Sequence, residues 1–166
     1  MILEQKEQEF STLINRHQGI IIKISRMYTH SAEDEQDLFQ EIVLQLWRSY
    51  DSFKGNSKIS TWMYRVALNT AITLFRKSKR QPTTDELQEH HFRVEEEDQA
   101  QQHQQVALLY KVIKMLPQVE RAIVMMYLDD LPYRDIAENL GITEVNARVK
   151  MNRLKKTLKE LMIKHA

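Results

Sequence analysis

Residues 131–156 read LPYRDIAENLGITEVNARVKMNRLKK. Asp129, Asp130, Leu131 and Pro132 form a turn, and a short helix follows from Tyr133 to Leu140 with Ile136, Ala137 and Leu140 inward. Gly141 is the expected left-handed residue at its C-terminus. Ile142 then packs, Thr143 caps, and a last helix runs from Glu144 to about Lys164. Short helix, glycine turn and long helix together are the helix-turn-helix pattern. From Arg148 to the end, seven Lys or Arg face one Glu. The second helix of such a unit lies in the major groove, with its first turns facing base edges and flanking cations on phosphate. Glu144, Asn146, Arg148, Lys150 and Arg153 are the polar residues placed to do this. A small α-hairpin with a solvated basic face is the plainer alternative; the turn, the cap and the cation excess favour DNA.

Upstream, Val106, Leu109, Ile113 and Leu116 keep helical spacing. Pro117 ends that helix and can open the next, which carries Val119, Ile123, Val124, Met126 and Tyr127. Residues 81–104, QPTTDELQEHHFRVEEEDQAQQHQ, lose this periodicity and read as a mobile acidic tether. The end of that stretch also reads as the polar start of the following helix. His90, His91 and His103 lie there without the fixed spacing a metal site needs, so no metal is expected.

The first 80 residues read as three helices around one small core. Phe10, Leu13, Ile14, Ile20, Ile21, Ile24 and Tyr28 make one face, with Gly19 as the place for a bend. Ser31 caps the second helix ahead of Glu33, Asp34 and Glu35. Leu38, Ile42, Val43, Leu46 and Trp47 form its apolar stripe, and Asp37, Gln40, Glu41 and Arg48 lie on the polar side. Those charges are either a solvated face or a partner surface. After a loop at 51–59, Ser60 is expected to cap a third helix running to about Ser78, with Met63, Val66, Ala67, Thr70 and Leu74 inward. From Arg65 to Arg80 there are five basic residues and no acidic one. A polar loop, aromatic rings and an acid-free basic helix suit nucleic acid whose bases have left the stack. Trp62 and Tyr64 are either stacking platforms or core; Trp62 is expected nearer the DNA.

Composition bounds these readings. The 166 residues hold three Gly and three Pro, too few for a turn-rich sheet protein. An apolar fraction of 42% supports helical cores. No cysteine is present, so no disulfide or thiolate site exists. The start MILEQKEQEF is not a signal sequence, and no apolar run reaches spanning length, so a soluble cytoplasmic protein without membrane insertion is expected. Residues 1–80 carry 12 basic and 9 acidic side chains, residues 81–104 carry 1 and 7, and residues 105–166 carry 11 and 7. Two basic modules therefore flank an acidic segment, an asymmetry that speaks to partners. No catalytic constellation or phosphate loop stands out, so neither enzyme nor cofactor is expected.

The chain resembles the extracytoplasmic-function group of bacterial RNA polymerase sigma factors. Glu33-Asp34, Asp37 to Leu44 and Leu46-Trp47-Arg48 look like that family's polymerase-binding helix. Phe53, Ser60 to Asn69 and the basic end at Arg76–Arg80 look like its promoter-melting element. Leu116-Pro117, Glu120-Arg121, Leu131 to Ala137 and Gly141-Ile142-Thr143 look like its C-terminal domain. The chain departs from the family pattern at Thr73, where an acidic residue is common, and at Asn146-Ala147, where Thr-Val is common. The resemblance implies an all-α chain of two small helical domains, 1–80 and 105–166, joined by an acidic flexible linker at 81–104. Core RNA polymerase would be bound through Asp37, Leu38, Gln40, Glu41, Leu46 and Trp47. The opened minus-ten strand would meet Lys54, Asn56, Ser57, Lys58, Trp62, Arg65, Asn69, Arg76, Lys77 and Arg80. The minus-thirty-five duplex would meet Thr143, Glu144, Asn146, Arg148, Lys150 and Arg153. An anti-sigma factor is a further implied partner. Two rival readings are a helix-turn-helix regulator dimerising through its N-terminal helices, and an adaptor whose basic faces meet acidic proteins.

Overall fold

The computed structural model describes residues 2–53, 55, 57–78 and 100–166, with residues 75–78 and 100–102 by backbone alone. All regular structure among them is helical, and it falls in two compact units.

The first unit holds α1 (Ile2–Met27), α2 (Ala32–Ser49), a single 3-10 turn (Tyr50–Ser52) and α3 (Ile59–Ser78). Ile21 and Ile24 of α1, Ile42 and Leu46 of α2, and Met63 and Ala67 of α3 are completely buried. Burying a large aliphatic side chain contributes about 1.5–3 kcal/mol, so this apolar set drives the packing of the unit. The Ser31 Oγ accepts from the Asp34 N–H at 3.1 Å, and three acidic residues occupy the first turn of α2. Arg26 of α1 donates to Glu35 of α2 at 2.9 Å across the connection. Two local expectations are corrected. The irregular backbone of α1 is at His17 (φ −114°, ψ 16°), not at Gly19. The third helix starts at Ile59, with the Lys58 carbonyl accepting from the Trp62 N–H at 3.1 Å, so Ser60 lies inside its first turn.

The second unit holds α4 (Ala100–Lys114), α5 (Gln118–Leu128), α6 (Tyr133–Leu140) and α7 (Glu144–His165). Residues 100–104, assigned above to the tether, are the polar start of α4; the rest of the tether lies outside the described residues. Val112, Ile113, Ile123, Met126, Ile136, Ala147 and Met151 meet at its centre. Asp130, between α5 and α6, holds a left-handed backbone with φ 62°. That conformation costs an L-residue roughly 1 kcal/mol. Asp130→Gly is therefore expected to stabilise this unit by up to about 1 kcal/mol, read as a higher midpoint in thermal melting; an unchanged or lower midpoint would show that the turn is unstrained.

Candidate nucleic-acid interface

In the second unit the chain is steered by three local devices. The Pro132 carbonyl accepts from Asp135 and Ile136 at 2.9 and 3.1 Å and starts α6. At its other end Gly141 takes φ 69°, and the Gly141 and Ile142 N–H groups donate back to Glu138 and Ala137. This pair of bonds stops the helix and turns the chain. The Thr143 Oγ1 then accepts from the Asn146 N–H at 3.1 Å, which fixes the start of α7.

Ala147, Met151, Leu154 and Leu158 form the buried side of α7. At 100° per residue, the opposite side is the line through Val145, Val149, Asn152, Arg153 and Lys156. All five are exposed, Val145 at 70% and Val149 at 40%. Arg148 and Lys155 occupy a flank instead. The Arg148 guanidinium lies 5.3 Å from the Tyr133 ring centroid and 3.5 Å from the Glu144 carboxylate. The Lys155 ammonium lies 4.7 Å from the Tyr127 ring, and the two rings are 6.1 Å apart. The Tyr127 hydroxyl bonded to Lys155 raises the ammonium above the usual lysine value, with desolvation pulling the other way. Of the sequence-predicted set, Thr143, Glu144, Asn146, Arg148 and Arg153 are exposed and Lys150 is half-buried, but only Arg153 is on the outward line. Val145, Val149, Asn152 and Lys156 are not in that set, which follows polarity rather than helix register.

In the first unit five aromatic rings follow one another: Trp47 to Phe10 (5.0 Å), Phe10 to Tyr50 (5.4 Å), Tyr50 to Trp62 (6.5 Å) and Trp62 to Phe53 (4.9 Å). Trp62 is only 7% exposed, and Tyr64 is buried more deeply. Of the two alternatives the sequence left for these rings, the structure places both in the core, with the Trp62 ring between Phe53 and Tyr50 and the less buried of the pair. Arg65 is half-buried, and Asn69 and Thr73 are exposed along α3. Ser57 is half-buried and Lys58 exposed ahead of it. Lys54, Asn56 and Arg80 lie outside the described residues, as do the side chains of Arg76 and Lys77.

On α2 the expected polymerase-facing set also divides. Leu38 and Leu46 are buried and belong to the core with Ile42. Asp37 and Gln40 are exposed, and Glu41 is half-buried and accepts from Gln45 at 3.0 Å. Leu44, 39% exposed, joins that polar stripe; it belongs to the Asp37 to Leu44 run but is not in the expected contact set. Trp47 is half-buried beneath α1, with the Lys6 ammonium 4.6 Å from its ring and paired to Asp51 at 2.8 Å. Among the described residues no acidic or histidine cluster could hold a metal, and no helix is long and apolar enough to cross a membrane.

Family comparison decides what these surfaces belong to. The chain matches Sigma-70 region 2 over residues 13–81 and Sigma-70, region 4, over residues 107–158. The ECF RNA polymerase sigma-E factor of Haemophilus influenzae is 31% identical over 80% of this chain and 76% of its own length. The chain belongs to the ECF RNA polymerase sigma factors. The RNA polymerase sigma-H factor of Pseudomonas aeruginosa is 28% identical over 79% of this chain and 74% of its own. In fold, this ECF sigma factor is similar to the sigma factor RpoE of Bartonella quintana, solved with the anti-sigma factor NepR. The TM-score is 0.70 at 18% identity, covering 94% of this chain and 95% of that one. As a sigma factor the protein directs RNA polymerase to promoters, and the reading as a dimeric helix-turn-helix regulator is not favoured. Its partners are core polymerase and promoter DNA.

Proposed function

We propose that the two units divide the work of initiation. Residues 1–80 bind core polymerase through the outward side of α2, with Asp37, Gln40, Glu41, Leu44 and Trp47 at the contact. They take the opened minus-ten strand on the loop at 54–58, on Arg65 and Asn69, and on the basic end at Arg76, Lys77 and Arg80. Residues 105–166 hold the minus-thirty-five duplex against α7. The acidic stretch ahead of α4, residues 81–99, links the two and follows the basic path of the transcript in the polymerase. The observation that carries this reading is the order of two basic helical units, the first with an exposed polar-and-leucine stripe and the second with an outward recognition helix.

The protein works by binding, as a dissociable cytoplasmic subunit with no catalytic step and no cofactor of its own. An anti-sigma protein is its natural antagonist, a reading supported by the anti-sigma complex in which the Bartonella quintana relative was solved. Core polymerase mixed with this chain is expected to start transcription at genomic promoters that core alone ignores. Run-off transcription on genomic fragments measures this. Transcripts no different from those of core alone would overturn the reading.

A further inference from the structure

We propose that Val145 and Val149 read thymine methyl groups in the major groove, and so set part of the sequence preference of α7. This rests on the reading that α7 enters the groove of the upstream duplex. Both side chains are among the exposed large hydrophobics of the protein, on the first two turns of a helix whose other exposed residues there, Glu144, Asn146 and Arg148, are polar or charged. A single exposed valine needs no explanation. Two of them four residues apart form a continuous apolar strip, on the side opposite Ala147 and Met151. β-Branched residues are also less favourable than alanine in a helix, so solvent exposure gives them no local advantage there.

The chemistry of the groove limits what such a strip can recognise. The base edges offer donors and acceptors throughout, and the one apolar group among them is the thymine C5 methyl. Cβ atoms four residues apart on a helix are about 5–6 Å from each other. Base pairs are stacked about 3.4 Å apart, so the two valines span one to two steps. Arg153 and Lys156, on the same outward line, supply cations for the flanking phosphates. Arg148 is tied back to Glu144 and Tyr133 and leaves the apolar strip uncovered. Charged surroundings of this kind fit a duplex better than an apolar protein surface.

The test uses holoenzyme assembled from core polymerase and the full chain. Bound duplexes are selected from a library randomised in the upstream element. Recovered duplexes are expected to carry thymine at two positions one or two steps apart. Replacing dT by dU there removes only the methyl and is expected to weaken binding about fourfold for each position, the worth of one buried methyl group. The Val145→Ala, Val149→Ala double variant keeps a helix-favouring surface. It is expected to bind dT and dU duplexes equally, with the salt dependence unchanged because no phosphate contact is lost. Equal binding of dT and dU by the unaltered protein overturns the proposal, as does a double variant that still discriminates. A selection that yields no preferred upstream sequence at all would instead remove the groove reading itself, and the inference with it.

Discussion

Replacing Arg121 by alanine is expected to destabilise the C-terminal unit strongly and to leave the N-terminal unit unaffected. Arg121 is buried in the first turns of α5, where its Nη2 donates to the Lys114 carbonyl at 2.7 Å and the Leu116 carbonyl at 3.0 Å. Those carbonyls belong to the end of α4 and the turn that follows, where a helix has no donors of its own for its last groups. A buried acceptor left without a donor costs about 1–3 kcal/mol, and the lost side chain adds a cavity. The expected total is about 3–5 kcal/mol, against roughly 3–10 kcal/mol for the whole stability of a unit this size. Thermal melting should then show an early transition from the second unit and an unshifted one from the first. Limited proteolysis should cut within 100–166 and spare 2–78. Arg121→Lys should lie between, since an ammonium cannot span both carbonyls as the planar guanidinium does. If Arg121→Ala leaves both transitions in place, the guanidinium is not what holds α4 to α5.

Much of the fold was legible because its decisive signals are local. Gly141 and Thr143 act on backbone groups within five residues of themselves, and each does what its residue type commonly does at a helix end. Ser31 is the same case. The start of α3 was harder, because Ile59 and Ser60 are both acceptable near a helix start and the sequence holds no rule to separate them. The candidate site was read less well, and for a geometric reason. Glu144, Asn146, Arg148, Lys150 and Arg153 were chosen by polarity, yet residues two apart on a helix are separated by 200° and cannot share a face. The buried register of Ala147, Met151 and Leu154 contains the information needed: its opposite side is Val145, Val149, Asn152, Arg153 and Lys156. Leu38 and Leu46 could have been excluded in the same way, since they fall in register with Ile42 while Leu44 does not. Trp62 is different. Its burial depends on Phe53 and Tyr50, and through Tyr50 on Phe10 of a distant helix, which no local pattern specifies.

The exposed stripe of α2 gives the second large expected effect. Gln40→Lys with Leu44→Lys should weaken binding to core polymerase at least about tenfold and up to about a hundredfold, the range of a central contact converted to a like-charge or hydrated one. Both side chains are exposed, and lysine is a good helix former, so the melting of the first unit should hardly move. Trp47→Ala, the variant that the sequence alone suggests, should also weaken core binding, yet it answers a mixed question. It removes the ring on which Phe10 and the Lys6 ammonium rest, so it destabilises the contact between α1 and α2 as well. Titration of labelled core polymerase with each variant, beside its melting curve, separates the two effects. Loss of affinity in the Gln40, Leu44 variant at unchanged stability assigns the outward stripe to the polymerase. Normal affinity in that variant, with a loss in Trp47→Ala that merely follows its lowered stability, would mean that Trp47 is a packing residue and that the polymerase is met elsewhere on this unit.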